Sequence, residues 1–214
     1  MDVKCCIFDL DGVIVDTAKY HCLAWKRLAN ELGFDFTEKD NERLKGVSRM
    51  ASLEILLSIG KVSLSEEDKV ALAAKKNAWY VEYISKMNKD EILPGVENFL
   101  STLRASGIKV SLGSASKNSM MILDNLELTR YFDAIIDGNK VSEAKPDPEV
   151  FLLGAKELNI SPEFCVVFED AEAGIEAATR AGMRSIGIGS PETLGKATKV
   201  IPNLENSDLN LLKF

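Results

Sequence analysis

The sequence predicts an α/β protein, a doubly wound and mostly parallel sheet interrupted once by an all-helical insertion. Three observations point there. Residues 3–10 are largely apolar, too short a run for a buried helix, and suit a strand covered on both faces. Between Thr17 and Met87 no strand pattern appears, and apolar residues recur at helical spacing instead. From Asp90 onward short apolar runs alternate with helical stretches, which implies right-handed crossovers between parallel strands. The expected domains are 1–16 with 88–214 as an α/β core, and 17–87 as a helical domain inserted into it.

The elements follow from local signals. The first strand runs into Asp9-Leu10-Asp11-Gly12, and an Asp-Gly pair is a common hairpin signal. Val13-Ile14-Val15 alternates back, predicting a small hairpin beside the strand tip. From Thr17 onward Tyr20, Leu23, Ala24, Arg27, Leu28 and Leu32 keep a helical period until Gly33. A charged stretch, 37–45, leads to Gly46-Val47-Ser48-Arg49, after which Leu53, Leu56 and Leu57 mark a helix ended by Gly60. Ser65-Glu66-Glu67-Asp68 resembles a capping box opening a helix to about Met87. Pro94-Gly95 starts a helix through Phe99, Leu100 and Leu103, stopped by Gly107. A strand at 109–113 precedes a helix from Lys117 carrying Ile122, Leu123 and Leu126, and 134–136 is a short strand. Asp147-Pro148 opens the helix of Phe151, Leu152 and Leu158. Residues 165–168 form a strand, 171–181 a helix stopped by Gly182, and 185–188 a strand.

Composition narrows the function classes. In 214 residues, 46% hydrophobic content supports a buried core and 28% charged residues suit a soluble surface. A net charge of −7 argues against nucleic acid or an acidic membrane surface as partner. An anionic small molecule would need local positive charge from a metal, a few Lys or Arg, or helix N-termini. The four cysteines, Cys5, Cys6, Cys22 and Cys165, show no C-x-x-C spacing, and the single histidine, His21, argues against a histidine-based zinc site. Free thiols, no basic leader before an apolar segment, and no run of about 18 apolar residues predict a cytoplasmic protein without membrane contact.

In sheets of this kind ligands bind beyond the carboxyl ends of the strands. The polar residues there are Asp9 and Asp11 after the first strand, and Ser114-Ala115-Ser116-Lys117-Asn118 after the second. Glu169-Asp170 follow the 165–168 strand, and Lys145-Pro146 lie in the loop after 134–136. Alternate strand residues point one way, so Asp9 and Asp11 leave on the same side, where like carboxylates repel unless a cation intervenes or one is protonated. Hard oxygen donors without histidine or thiolate suit Mg²⁺ beside a substrate phosphate. A carboxylate can attack phosphorus, and a second can deliver a proton to the leaving oxygen and recover it. These residue types fit phosphoryl transfer with Asp9 as nucleophile, Asp11 as acid and base, and Lys145 as a positive charge. Ser114 and the amides opening the helix at Lys117 suit phosphate oxygens.

Rival motifs fail on spacing. Gly12 is fourth, not sixth, in any calcium loop starting at Asp9, and Val13 occupies a ligand position. The stretch from Gly189 to Gly195-Lys196 is one residue too long for a P-loop and continues into Ala197. Gly187-Ile188-Gly189 lacks the third glycine of a dinucleotide fingerprint, and no G-x-S-x-G occurs.

Asp9-Leu10-Asp11-Gly12-Val13, Ser114, Lys145-Pro146 and Glu169-Asp170 resemble the four motifs of the haloacid dehalogenase-like phosphotransferase superfamily, and the insertion after the first resembles its C1-type cap. Asp16-Thr17-Ala18-Lys19-Tyr20-His21 with Trp25, Leu44-Lys45-Gly46-Val47-Ser48-Arg49 with Ser52, Lys76-Asn77, and the stretch 114–118 resemble its sugar-phosphate mutases, the β-phosphoglucomutases. The resemblance implies that Asp9 is phosphorylated and Asp11 moves protons. It implies Mg²⁺ on Asp9, Asp170 and the backbone carbonyl of Asp11, with Glu169 beside it. Arg49, Ser116, Lys117 and Asn118 would hold the phosphate not being transferred. Ser114, Ala115 and Lys145 would serve the reacting one. His21, Trp25, Lys45, Gly46, Ser52 and Lys76 would face the sugar. The implied reaction interconverts β-glucose 1-phosphate and glucose 6-phosphate through an aspartyl phosphate and β-glucose 1,6-bisphosphate, in a monomer. The alternative is a capped sugar-phosphate phosphatase using the same residues. A receiver-type signalling domain shares Asp, Mg²⁺, Ser and Lys but has no helical insertion. Ala171 stands where the superfamily often has serine.

Overall fold

The computed structural model describes residues 2–44 and 48–214. In chain order its elements are β1 (Cys5–Phe8), α1 (Ala18–Glu31), α2 (Glu38–Glu42), α3 (Arg49–Gly60), α4 (Glu66–Ile84), α5 (Val96–Ala105), β2 (Lys109–Gly113) and α6 (Ser119–Asn125). Then follow β3 (Ala134–Ile136), α7 (Glu149–Glu157), β4 (Cys165–Glu169), α8 (Glu172–Arg180), β5 (Arg184–Ile188), α9 (Pro191–Leu194) and β6 (Lys199–Ile201). They divide into two compact units, Met1–Asp16 with Met87–Phe214, and Thr17–Lys86.

In the first unit six parallel strands among the described residues form one sheet in the order β3-β2-β1-β4-β5-β6. Strands β1 to β3 step outward one way and β4 to β6 the other, so the topology switches between β1 and β4, where α/β sheets open a crevice. The register sets Cys5 opposite Cys165 and Phe8 opposite Phe168. Asp9 therefore emerges beside Glu169, and its N–H donates to the Phe168 carbonyl at 3.0 Å. Every residue of β1 is fully buried, as a central strand covered by helices on both faces requires. On one face Cys5, Ile7, Cys165 and Val167 pack with Phe151, Ala155, Ala177 and Ala178. On the other Phe8 stacks on Phe168 at 4.4 Å, with Phe99 edge-on to both at 6.3 and 5.5 Å. All four cysteines are free.

The second unit is helical among its described residues. Thr37 and Asp40 form a reciprocal capping box that starts α2 inside the stretch expected only to be charged. Ser65 caps α4 by accepting the Asp68 N–H at 3.1 Å.

Several expectations change. The hairpin after Asp11 shrinks to one turn, with Gly12 N–H donating to the Val15 carbonyl at 2.8 Å. Val15 then pairs antiparallel with Ile92, and Leu93 N–H donates to the Ile14 carbonyl at 3.0 Å. The buried stripe of α1 is Ala24, Trp25, Leu28 and Ala29, while Leu23 and Arg27 face outward. Gly60 ends α3 inside the helix, where the Phe34 ring occupies the space a Cβ would need, and Lys61 after it takes the left-handed conformation. Helix α4 stops at Ile84, and Met87 lies in the first unit. Helix α6 begins two residues after Lys117. Both α9 and β6 lie beyond the last expected strand.

Candidate active site

The carboxyl ends of β1 and β4 meet at a buried ionic cluster. Lys145 Nζ donates to Asp9 Oδ1 at 2.5 Å and to Glu169 Oε1 at 2.5 Å. Asp9 is 7% exposed and Glu169 1%. The lysine comes from the loop between β3 and α7, and its ammonium sits 4.8 Å from the Phe151 ring centroid. Burial pushes the lysine toward its neutral form, but Asp9 and Glu169 outweigh it and hold it protonated. Glu169 Oε2 also accepts the Ala171 N–H at 2.9 Å, where no side chain caps α8.

The cluster carries more negative charge than one lysine balances. Burial raises Asp9 well above the usual carboxylate range; Lys145 opposes this, while Glu169, Asp11 and Asp170 add to it. Asp170 is pushed up to about 7 by burial, Glu169 and Asp11. Carboxylate oxygens of Asp9, Glu169 and Asp170 lie within 4.8 Å of one another. A hard divalent cation fits this donor set and the uncompensated charge. Asp11 acts on both Asp9 and Asp170 through its charge, but its side chain is not in that group of three. The turn is shaped for Asp170: Gly12 adopts φ +78°, and a Cβ there would lie 2.0 Å from Asp170 Oδ2.

Strand β2, next to β1, ends in the Ser114–Asn118 stretch. Ser114 is buried, and its Oγ accepts the Ser116 N–H at 3.1 Å. Ser116 Oγ accepts the Asn118 N–H at 3.3 Å, so one of the amides expected to open a helix at Lys117 and face an anion is engaged within the loop. Sequence reasoning missed what lies behind this loop: Asp137, Gly138 and Asn139 after β3, which carry no motif signal except a turn-forming composition.

The second unit has its own buried polar group. Lys76 is only 2% exposed, although a helix lysine ordinarily keeps its charge in solvent. Its Nζ lies 2.8 Å from His21 Nδ1, 4.3 Å from the Trp25 ring centroid and 5.2 Å from that of Tyr80. His21 stacks on Tyr80 at 4.0 Å. Burial, then Lys76 and Arg49, drive His21 well below its ordinary range, leaving a neutral ring whose Nδ1 accepts from the lysine. Ser52 is buried on α3, whose first residue is Arg49. Lys45 and Gly46 lie outside the described residues.

Lys76 gives this unit a pH signature. Burial, then Arg49, push it down to about 7. In the unfolded chain it titrates at about 10.4. Between those values the unfolded chain binds the extra proton, so stability should rise with pH, by at most about 1.4 kcal/mol per unit. Below that window both states are protonated and the full cost of burying the charge remains. The two tryptophans, Trp25 and Trp79, both belong to this unit, so their fluorescence reports its unfolding. Urea titrations at about pH 7 and about pH 9 should show a steeper gain for the parent than for Lys76→Met. Equal gains would contradict the buried, depressed lysine.

Residues 6–188 match the family model described as haloacid dehalogenase-like hydrolase. A Bacillus subtilis protein named beta-phosphoglucomutase is 42% identical over 98% of this chain and 94% of its own. A crystal structure of beta-phosphoglucomutase from Clostridium difficile superposes with a TM-score of 0.91 at 44% identity, covering 99% of this chain and 96% of that one. A Thermotoga maritima protein named phosphorylated carbohydrates phosphatase is 34% identical over 84% of this chain and 82% of its own. With an aspartate cluster at the β1/β4 switch point, a lysine bridging it and a family match across most of its length, the chain belongs to the haloacid dehalogenase-like hydrolase family.

Proposed function

We propose that this protein interconverts β-glucose 1-phosphate and glucose 6-phosphate, with β-glucose 1,6-bisphosphate as the intermediate. The observation that carries the reading is the near full-length likeness to two proteins named beta-phosphoglucomutase, at 42% and 44% identity. Asp9, once phosphorylated, gives its phosphoryl group to the sugar 6-hydroxyl, and the bisphosphate turns round before Asp9 takes the 1-phosphoryl group back. Asp11 removes the hydroxyl proton in the first step and returns it to the leaving oxygen in the second. Lys145 aims Asp9, opposes the rise in its pKa, and offers positive charge to the phosphoryl oxygens. Asp9, Asp170 and the Asp11 backbone would hold Mg²⁺, with Glu169 beside them; the ion supplies Lewis acidity that neutralises phosphoryl charge.

Ser114 and Ala115 serve the reacting phosphate in this reading. Arg49, Ser116, Lys117 and Asn118 hold the other one, while His21, Trp25, Lys45, Gly46, Ser52 and Lys76 orient the sugar. Holding a second phosphate is what a mutase needs and a simple phosphatase does not. The phosphatase reading draws on the relatives named phosphorylated carbohydrates phosphatase and fructose-1-phosphate phosphatase, at 34% and 33% identity.

A glucose 6-phosphate dehydrogenase-coupled assay with β-glucose 1-phosphate, Mg²⁺ and a trace of bisphosphate separates the two. Isomerisation is expected; inorganic phosphate without glucose 6-phosphate would overturn the mutase. Arg49→Ala should cost isomerisation about 10- to 100-fold, the loss of one charge-assisted contact, and spare hydrolysis of a one-phosphate ester. Equal losses in both would remove Arg49 from the second-phosphate role.

A further inference from the structure

The loop after β2 is braced by a turn that takes no part in the chemistry. Residues 137–139 leave the end of β3, the edge strand beside β2. Asp137 is 6% exposed; its Oδ1 accepts the Asn139 backbone N–H at 3.0 Å and its Oδ2 the Asn139 side-chain amide at 3.0 Å. That amide also donates to the Lys117 carbonyl at 3.0 Å, so both its hydrogens are used. Gly138 N–H donates to the Ser116 carbonyl at 3.1 Å, which also accepts the Ser119 hydroxyl at 2.8 Å. Two successive carbonyls of the loop are thus tied to two successive residues of the turn. The approach is close: a Cβ on Gly138 would lie 2.2 Å from the Ala115 carbonyl oxygen.

A trans peptide is planar, so its carbonyl and the following N–H point in opposite directions. Fixing the carbonyls of Ser116 and Lys117 toward the turn therefore fixes the direction of the Lys117 N–H and holds the Asn118 N–H on Ser116 Oγ. We infer that the Asp137-Gly138-Asn139 turn is a positioning element for the second-phosphate site, fixing the 116–118 backbone so that the Lys117 N–H and the loop's side chains are aimed, and setting affinity for doubly phosphorylated sugar without setting the rate of chemistry at Asp9. This rests on the reading that Ser116, Lys117 and Asn118 hold the phosphate not being transferred.

The test compares Asn139→Ala, Asn139→Asp and Lys117→Ala in the full-length enzyme. Asn139 is exposed, and the aspartate variant is isosteric, so neither threatens the fold. Asn139→Ala should raise KM for β-glucose 1,6-bisphosphate about 5- to 30-fold, the worth of one or two hydrogen bonds, with kcat changed less than about twofold. Asn139→Asp should raise KM further, since it sets a carboxylate against Asp137 and the Lys117 carbonyl. Turnover of acetyl phosphate, which has no second phosphate, should stay at the parent level in both. A matching fall in acetyl phosphate turnover would make the turn merely structural, and an unchanged bisphosphate KM in both variants would overturn the proposal outright. If Lys117→Ala raises the bisphosphate KM while the Asn139 variants do not, the brace fails and the second-phosphate reading stands. If Lys117→Ala leaves that KM unchanged, the second-phosphate reading fails and takes the brace with it.

Discussion

Asp9→Asn should abolish turnover and phosphoenzyme formation while making the metal-free protein more stable than the parent. The amide keeps the shape of the carboxylate but cannot attack phosphorus, and losing a nucleophile of this kind costs about 10⁴-fold or more in kcat. The stability gain follows from the sign of the shift. Burial, with three neighbouring carboxylates, outweighs Lys145 and raises Asp9, so the metal-free folded state prefers a neutral group there. Asparagine is that neutral group at every pH. In chelator-treated protein its Tm should be higher, by about 2–4 °C for each kcal/mol gained. Intact-mass spectra after incubation with a phosphoryl donor should show one phosphoryl increment on the parent and none on the variant. Turnover within tenfold of the parent would remove Asp9 as nucleophile, and a lower Tm would mean that the Lys145 pair outweighs burial.

Gly12→Ala should also impair turnover, for a different reason. The position combines a positive φ with no room, because a Cβ would lie 2.0 Å from Asp170 Oδ2 and 2.5 Å from Asp170 Cγ. Something must shift, and the end of the Asp170 side chain is freer to move than the backbone of the turn that leads out of β1. Displacing one carboxylate of the cluster should weaken divalent-cation binding about 10- to 100-fold, as disturbing the surroundings of a metal site commonly does. Activity measured against Mg²⁺ concentration should shift to higher metal, with partial recovery at saturation. An unchanged Mg²⁺ dependence would show that Asp170 is not a ligand, or that the turn gives way instead.

The strands were legible in the sequence because they are central and parallel. Burial on both faces leaves plain apolar runs at 5–8 and 165–168, and each ends at the polar residues of the site. Asp9, Glu169 and Asp170 were legible for the same reason, since a strand that stops on charge marks a rim, whereas Lys145, in the loop between β3 and α7, stood out only as part of the motif set. Other features depend on contacts that no local pattern encodes. Leu23 keeps the helical period of α1 yet faces solvent, because the stripe that finds neighbours is one residue further on. The edge strand β6 is three half-buried residues, too short to stand out. Helix α2 rests on one capping box in a charged stretch. Asn139 holds the loop from twenty-two residues away, through a side-chain amide that any surface asparagine possesses.

The antiparallel pairing of Val15 with Ile92, and of Ile14 with Leu93, places the start and finish of the insertion on adjacent backbone within the first unit. That adjacency makes the inserted segment a cassette. Closing a longer excursion between two points already held together costs only about 0.6 kcal/mol per doubling of its length. A lineage can therefore lengthen, trim or exchange the segment with little penalty to the sheet that bears Asp9. On the proposed function, which gives sugar contacts to residues of that segment, change in what is recognised is thereby uncoupled from the phosphoryl chemistry at Asp9.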